Sequence, residues 1–244
     1  LINVNVSNIN NKTLVFFEPL EEDLQRRDFT INSIAKDQNG KIIDPFKGRL
    51  DLEKKLFRHT SSAFDEDPLR VLRFARFKSY EQLSSFNLHE KTNIYFKNIA
   101  ASNELKELSP ERVWMETKKA LENKHSEEFF KAIKKYQLTT PWFEGLKNIS
   151  CDGDVPELKW ADIQRVNGFQ LSKPLPTPKI FQKTQESLKQ VLDLIACENK
   201  KEKFNLVEKM NIHRNYEIFQ SIYAHSSIKE HQNYLDKIFQ SVMD

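Results

Sequence analysis

Two arginine-rich segments of the chain contain the residue types best suited to binding an anionic nucleotide. The first, residues 26–32, reads RRDFTIN. Its adjacent arginines, Arg26 and Arg27, could clamp a triphosphate, because guanidinium groups pair with phosphate oxygens and stay charged. Asp28 could then accept a hydrogen bond from a ribose hydroxyl. The alternative is a surface cluster in which Asp28 pairs with Arg26, and the Arg-Arg-Asp triplet taken alone favours that alternative.

The second segment, residues 66–77, places charged residues at regular helical spacing. An acid and three arginines follow one another at intervals of three residues: Asp67, Arg70, Arg73 and Arg76. Each lags its predecessor by about 60° around an α-helix, so neighbours share one side of it. Glu66 could form an ordinary surface ion pair with the arginine four residues later. Three arginines with one local acid would still repel one another unless something anionic lay among them.

Asp67 and Arg70 together could distinguish nucleobases. A carboxylate accepts hydrogen bonds, whereas a guanidinium group donates them. Cytosine and adenine both present an exocyclic amine beside a ring-nitrogen acceptor, whereas uracil and guanine carry a carbonyl in place of that amine. A fixed Asp/Arg pair would therefore admit C and A and reject U and G, because a buried carboxylate that faces a carbonyl costs on the order of a few kcal/mol.

Strands and one hairpin are predicted for the start of the chain. Alternating apolar residues up to Phe17 indicate strands interrupted by an Asn-rich run, residues 8–11. Apolar runs on either side of Asn39-Gly40 predict a hairpin with a type I′ turn, which requires positive φ at both central residues. No strand is predicted beyond about Asp44.

The rest of the chain has helical periodicity. One helix is predicted to begin at the acidic turn before Pro68, and another at Ser109 with Pro110 in its first turn. Further helices are predicted around residues 129–133, 181–195 and 216–223. Residues 151–168 are predicted to form a loop, and the prolines at 174, 176 and 178 a stiff connector. The expected fold class is α+β, with strands first and helices after them.

Composition limits the protein class without identifying it. The 244 residues are 39% hydrophobic and 30% charged, and the mean hydropathy of −0.65 predicts a soluble protein with no membrane span. Two distant cysteines that form no CxxC pair favour a cytoplasmic protein. A net charge of +3 permits nucleic-acid binding but does not indicate it. Cys151 and Cys197 are interpreted as ordinary reduced thiols. The six histidines show no ligand spacing, which makes a histidine-metal centre unexpected.

Six ordered blocks of the sequence form a recognisable pattern: residues 26–32, 40–48 (GKIIDPFKG), 51–52 (DL), 56–59 (LFRH), 64–77 (FDEDPLRVLRFARF) and 108–116 (LSPERVWME). In order and spacing these blocks resemble the class II tRNA nucleotidyltransferase and poly(A) polymerase family. They resemble bacterial CCA-adding enzymes more than poly(A) polymerases, and the resemblance fades after about Gly145.

The resemblance implies roles for particular residues. It places Arg27, Asp28 and Asn32 in the sugar and triphosphate motif. It places Asp67 and Arg70 on the pair that reads CTP and then ATP, with Arg73 and Arg76 as further nucleotide-binding residues. The implied layout is the end of a nucleotidyltransferase head (residues 1–62), a helical nucleotide-selecting neck and body (63–150), and a helical tail that binds tRNA (151–244).

One part of the family pattern has no match. The family begins with a Gly-rich loop and an Asp-x-Asp pair that binds two Mg²⁺ ions, and neither precedes Arg26. Leu1 is not an initiator methionine, so our interpretation is a truncated chain whose Mg²⁺ ligands lie upstream and which is inactive by itself. Residues 152–154 (DGD) are interpreted as a turn, and no catalytic or metal-binding residue is predicted within the chain.

The expected activity is addition of C, C and A to tRNA 3′ ends. Three alternatives stay open: a poly(A) polymerase, a partial adder that uses only CTP or only ATP, and a non-catalytic RNA-binding relative. The sequence leaves the oligomeric state and the tRNA-contacting residues of the tail open.

Overall fold

A computed structural model of the protein describes residues 4–9, 12–17, 20–171 and 175–243. Its strands form three two-stranded sheets. The first pairs β1 (Val4–Ile9) with β2 (Lys12–Phe17), antiparallel, as the alternating pattern predicted. The second is the predicted hairpin of β3 (Ala35–Lys36) and β4 (Ile42–Ile43).

The turn of this hairpin is not the predicted type I′. Gly40 has a φ of +84°, whereas Asn39 is not among the described residues with positive φ. The Asp37 carboxylate accepts hydrogen bonds from the backbone N–H groups of Asn39 (2.9 Å) and Lys41 (2.8 Å), and the Asp37 carbonyl accepts from Gly40 N–H. Because the aspartate organises a three-residue loop, only its last residue needs the left-handed conformation.

A third sheet corrects the prediction that strands end near Asp44. Here β5 (Leu56–Phe57) runs parallel to β6 (Asn87–Leu88). Asn87 N–H donates to the Lys55 carbonyl, and His89 N–H donates to the Phe57 carbonyl, both at 2.9 Å. Each strand is only two residues long, so no alternating pattern marks it in the sequence.

Eleven α-helices occur in the described part of the chain. Helices α3 and α5 begin where the sequence predicted, with Asp67 Oδ1 accepting from Leu69 N–H (3.1 Å) and Ser109 capping α5 ahead of Pro110. The helices are α1 (Leu20–Arg26), α2 (Gly48–Glu53), α3 (Leu69–Lys78), α4 (Glu90–Ala101), α5 (Pro110–Leu121), α6 (Glu127–Lys135), α7 (Pro156–Val166), α8 (Lys179–Ala196), α9 (Lys200–Met210), α10 (Tyr216–Tyr223) and α11 (Gln232–Met243).

Helix α7 contradicts the prediction of a loop over residues 151–168. Pro156 occupies its first turn, where a missing N–H costs nothing, so the proline starts a helix instead of breaking one. Its apolar residues point to two sides: Trp160 packs into one core and Leu158 into another. A helix that is buried on two faces lacks the single apolar stripe that sequence periodicity detects.

An aromatic core holds the first arginine-rich segment against α3. Phe29, Phe57 and Phe74 are almost completely buried, and the ring centroids of their three pairs lie 5.0 to 6.2 Å apart. Aromatic pairs of this kind contribute about 0.5–1.5 kcal/mol each beyond their buried area. Because Phe29 follows Asp28 and Phe74 follows Arg73, the core fixes the backbone beside both charged side chains.

The N-terminus of α2 presses against the same segment. A Cβ atom on Gly48 would lie 2.0 Å from the Thr30 carbonyl oxygen, so only glycine fits there. The Thr30 hydroxyl donates to Asp51 at 2.7 Å, and Arg58 Nε donates to the same carboxylate at 2.9 Å. These contacts leave the turn after Asp28 little freedom to move.

A second core joins α7 to the C-terminal helices, as expected for a helical C-terminal third. Leu158 and Ala161 pack there against Leu188, Phe219 and Leu235. Helix α8 begins directly after Pro178, in agreement with the connector prediction, whereas Pro174 lies outside the described residues. Within the described ranges, no helix has the length and apolar character needed to cross a membrane.

A buried polar cluster also ties α7 to the C-terminal helices. Asp162 is fully buried and accepts hydrogen bonds from Arg165 Nε (2.8 Å), the Asp152 backbone N–H (2.8 Å) and the Ser150 hydroxyl. His225, after α10, is fully buried at its side chain and has Nε2 3.1 Å from Asp162 Oδ1. Its Nδ1 accepts from the Ser227 N–H, which places the ring proton on Nε2, facing the carboxylate.

Candidate nucleotide-binding site

The two arginine-rich segments meet at Asp28. This aspartate is 6% exposed, and its Oδ2 accepts a hydrogen bond from Arg73 Nε at 2.6 Å. Its Oδ1 lies 3.6 Å from Arg70 Nε. Burial by itself lowers the pKa of Arg73, but the charge and the hydrogen bond of Asp28, together with the charges of Glu116 and Asp67, outweigh burial and raise that pKa above its ordinary value. The chain itself therefore supplies part of the negative charge that the arginines of α3 require, in the form of the Asp28 carboxylate.

Glu116 of α5 is the second anion among the arginines, and sequence reasoning did not single it out. Its side chain is 5% exposed and accepts from Arg76 Nε at 2.5 Å, with Arg73 Nη1 at 3.7 Å. Arg76 also donates to the Tyr80 hydroxyl and lies 4.5 Å from the ring centroid of Phe77. An acid among the apolar positions of α5 is the sequence signal that could have identified it, because an unpaired charge is rarely buried.

Arg76 therefore differs from the other predicted site residues in its surroundings. It is 8% exposed, with Nε bonded to Glu116 and Nη1 to Tyr80. Arg73, one turn earlier, keeps a third of its side chain exposed. The structure thus places Arg73 at the surface of the cluster and Arg76 beneath it.

Asp67 lies at the start of α3 with its carboxylate partly open to solvent. Its side chain is 34% exposed; Oδ1 accepts from Leu69 N–H at 3.1 Å, and Oδ2 accepts from Arg112 Nη2 at 2.7 Å. The Asp67 carbonyl accepts from Arg70 N–H at 3.0 Å, so the predicted pair lies on one turn of the chain. Arg112 is a second neighbour of the site that sequence reasoning did not single out.

Arg70 links the two segments. Its side chain is 12% exposed, Nη2 donates to the Arg26 carbonyl at 3.0 Å, and the guanidinium carbon lies 5.8 Å from the ring centroid of Phe64. Its Nη1 is buried and makes no hydrogen bond within the described part of the chain. An unsatisfied buried donor costs free energy, which a ligand that supplies an acceptor would offset.

Arg27 and Asn32 form a separate pair beside this cluster. Arg27 Nη1 donates to the Asn32 carbonyl and Nη2 to Asp23, both at 2.8 Å, and 37% of the Arg27 side chain is exposed. The Asn32 side chain accepts from Phe29 N–H at 3.1 Å and so closes the turn after Asp28. Asn32 therefore positions its neighbours here, whereas Arg27 has a partly exposed side chain near them.

The described residues do not form a site that fits Mg²⁺. No group of three or more His, Cys, Asp or Glu side chains in these ranges is arranged to hold a metal ion. Residues 153–155 form a bend directly before α7, and the Asp152 carboxylate accepts from Ser226 N–H at 2.9 Å. We therefore assign no step of chemistry to a metal in this chain.

Two family models match the sequence. The model of the poly A polymerase head domain matches residues 2–58. The model described as "Probable RNA and SrmB-binding site of polymerase A" matches residues 85–150. Together they cover about half of the chain and leave the Asp67–Arg76 segment between them.

Solved structures share the fold. The CCA-adding enzyme of Bacillus stearothermophilus in complex with CTP matches 97% of this chain at 24% identity and a TM-score of 0.61. A tRNA nucleotidyltransferase complexed with a primer tRNA and an incoming ATP analogue matches 99% at 23% identity, also with a TM-score of 0.61. The chain spans 66% of the length of the first protein and 85% of the second.

The two family models confirm the family inferred from the sequence, and the solved structures confirm the fold class. The architecture is α+β, with strands of a nucleotidyltransferase head ahead of a helical body. The head and RNA-binding models are both parts of one type of polymerase. The chain belongs to the class II nucleotidyltransferase family, which comprises tRNA nucleotidyltransferases and poly(A) polymerases.

Proposed function

We propose that the full-length protein adds C, C and A to the 3′ ends of tRNA, with CTP and ATP as substrates. The observation that carries the proposal is the placement of Asp67 and Arg70. A partly open carboxylate and an arginine with an unpaired donor lie on one turn at the start of α3. This is the donor and acceptor set that complements the shared edge of cytosine and adenine.

Base selection follows from this chemistry. The Asp67 carboxylate would accept from the exocyclic amine, and Arg70 would donate to the adjacent ring nitrogen. Uracil and guanine would place a carbonyl against the carboxylate and leave both groups without a partner. The chain thus reads the base as a template strand would.

The remaining predicted residues surround this pair. Arg27 and Arg73 have partly exposed side chains and would bind the triphosphate. Asp28 and Asn32 hold the turn between them, close to where the sugar would lie. Arg76 would act through Glu116, which it shares with Arg73. Enzymes of this family use divalent metal ions, which would activate the primer hydroxyl and neutralise the leaving pyrophosphate.

Asp67→Ala is expected to weaken the preference for CTP and ATP over UTP and GTP. Removing the acceptor removes the repulsion against a carbonyl, so discrimination should fall by at least about tenfold. The measurement is the ratio of kcat/KM values of the full-length protein for the four nucleotides, on tRNA that lacks its 3′-terminal CCA. Asp65→Asn, at an exposed neighbouring acid, is the control and should leave the ratios unchanged.

Nucleotide use by the wild-type protein distinguishes the proposed function from the three alternative functions. Equal use of UTP and CTP would contradict the proposed function. A long product made from ATP alone would identify a poly(A) polymerase, and incorporation of only CTP or only ATP into tRNA would identify a partial adder. RNA binding without incorporation of any nucleotide would indicate a non-catalytic relative.

We also propose that the C-terminal helices bind tRNA through a basic groove between α8, α9 and the turn after α9. The groove has a volume of about 470 Å³, and its lining includes the exposed residues Lys183, Lys209 and Arg214. Residues 173–214 carry nine Lys and Arg against five Asp and Glu. Phosphate contacts by such side chains release counterions, so they make RNA binding salt-dependent.

Lys183→Glu/Arg214→Glu is therefore expected to weaken tRNA binding by at least about tenfold and to reduce the dependence of log K on log salt by about one to two. Filter binding over a range of NaCl concentrations measures both. Lys124→Glu, which reverses an exposed lysine outside the groove, should change affinity little. Unchanged affinity and salt dependence in the double variant would assign tRNA binding to another surface.

A further inference from the structure

Helix α5 contributes a residue that contacts Asp67, the acid proposed to read the base. Arg112 extends from the first turn of α5 to α3, where its Nη2 donates to Asp67 Oδ2 at 2.7 Å. The two residues are 45 positions apart in the chain. Neither family resemblance nor the pattern of charges in the sequence assigned a role to this arginine.

We propose that Arg112 is a positioning residue that sets nucleobase selectivity by fixing the orientation of the Asp67 carboxylate. This inference rests on the proposed function, because it assumes that Asp67 reads the base. Arg112 itself need not touch the nucleotide. Its role is to hold the acceptor where an exocyclic amine can meet it.

The carboxylate is held at both of its oxygens. Leu69 N–H donates to Oδ1 at 3.1 Å from one side, and Arg112 donates to Oδ2 at 2.7 Å from the other. Two bonds to different oxygens fix rotation about the last side-chain torsion, which is otherwise broad for aspartate. Each oxygen has a second lone pair, so the fixed group can still accept from an incoming base. With Leu69 alone, the carboxylate could turn away from a mismatched carbonyl.

The exposure of this pair argues against a role in stability alone. The side chains of Arg112 and Asp67 are 49% and 34% exposed. Ion pairs at this exposure contribute little to folding, because solvent screens them and two side chains lose freedom. A short hydrogen bond that contributes little to stability still restricts geometry.

Helix α5 also contacts the later arginines of α3 through a second charged side chain, Glu116. Glu116 follows Arg112 by four residues, so both lie on one side of the helix. Glu116 contacts Arg73 and Arg76, the arginines one and two turns beyond Arg70. One face of α5 therefore orients the base-reading acid and the arginines of α3 together.

The test is the nucleotide preference of the full-length protein with Arg112→Ala, Arg112→Lys and Lys118→Ala. Arg112→Ala should reduce the ratio of kcat/KM for CTP over UTP by at least about tenfold, mainly by raising the UTP value. Arg112→Lys should recover part of the ratio, because an ammonium group can replace a single donated bond. Lys118, which pairs loosely with Glu122 later in α5, is the control and should leave the ratio unchanged.

Three further results bear on the inference. Melting temperatures of the Arg112 variants should stay within about 2 °C of wild type. Asp67→Ala/Arg112→Ala should discriminate no worse than Asp67→Ala alone, because the arginine acts through the aspartate. Additive losses would overturn the inference and indicate direct contact between Arg112 and the nucleotide.

The failure of this inference can be told apart from failure of the proposed function. A wild type that prefers CTP and ATP, together with an Arg112→Ala variant of unchanged preference, overturns only the role of Arg112. Tighter CTP binding by Arg112→Ala at an unchanged ratio also overturns it, and would make Arg112 a competitor of the base. A wild type without preference contradicts the proposed function and this inference with it.

Discussion

Glu116→Gln is expected to lower the free energy of unfolding by about 3 kcal/mol, the cost of leaving a buried ion without its partner. Glu116 and Arg76 are 3% and 8% exposed, and they are bonded at 2.5 Å. Glutamine has nearly the same shape, so packing is kept while the Arg76 charge becomes uncompensated. For a chain of this length, the melting temperature should fall by roughly 6–12 °C, measurable by circular dichroism or differential scanning fluorimetry.

Two comparisons identify the cause of that loss. Glu122→Gln changes an exposed glutamate at the end of the same helix, 3.9 Å from Lys118, and should change stability by less than about 0.5 kcal/mol. Arg76→Met combined with Glu116→Gln should recover part of the loss, because it removes the uncompensated charge. Equal stability of Glu116→Gln and wild type would show that the Glu116–Arg76 pair is not maintained in solution.

Asp162→Asn is expected to destabilise the protein by a similar amount, about 3 kcal/mol. The loss would come from the buried polar cluster between α7 and the C-terminal helices, away from the arginines of α3. Asp162 is fully buried and accepts from Arg165, from the Asp152 N–H and from Ser150, with His225 facing it. An amide cannot accept all of these bonds, and it leaves the arginine without a counter-charge. Urea denaturation of both proteins gives the difference directly.

The effect of Asp162→Asn should depend on pH. Burial by itself would raise the pKa of the Asp162 carboxyl, but the groups around it, His225, Ser150, Asp152 and Arg165, hold that pKa far below its ordinary value of 3.8. A depressed pKa contributes stability that is present above the ordinary value and is lost as pH falls toward the folded-state value. The stabilisation that the Asp162 carboxylate provides should therefore be present at pH 5, and the difference between wild type and Asp162→Asn should shrink below about pH 4.

Asp193→Asn is the matched control for this prediction, because Asp193 is an exposed acid on α8. It should change stability by less than about 0.5 kcal/mol at pH 7 and show no comparable pH dependence. A difference between wild type and Asp162→Asn that grows on acidification would contradict the assigned role of Asp162 as a stabilising anion.

Local chemistry made much of the site predictable from the sequence. The three-residue spacing of Arg70, Arg73 and Arg76 identified one side of a helix, and Ser109-Pro110 identified the start of another. Asp67, which the same spacing placed on that helix, lies before it in extended backbone. These features depend on residues within one or two turns of each other, where backbone geometry alone decides the outcome. The order of the blocks was sufficient to identify the family.

The type I′ turn was a wrong prediction for a local reason, the Asp37 carboxylate, but two other wrong predictions depended on contacts between distant residues. Strands β5 and β6 are too short to have a pattern of their own and form because Phe57 packs into the aromatic core. The turn residues of segment 151–168 predict a loop, and α7 shows no single apolar stripe against that prediction because its apolar residues pack into two cores. In both cases tertiary packing overrode the local signal.

By itself, the sequence determined the family, the helix that carries the arginines, and the residue types at the site. Only the tertiary structure decided which acids lie among those arginines: Asp28 from the first segment and Glu116 from α5, with Arg112 on Asp67. The physical reason is that a charge pair requires proximity in space, which spacing along the chain does not encode beyond a helical turn or two. Packing of the Phe29–Phe57–Phe74 core brings these groups within hydrogen-bond distance, and so completes a site whose parts the sequence shows separately.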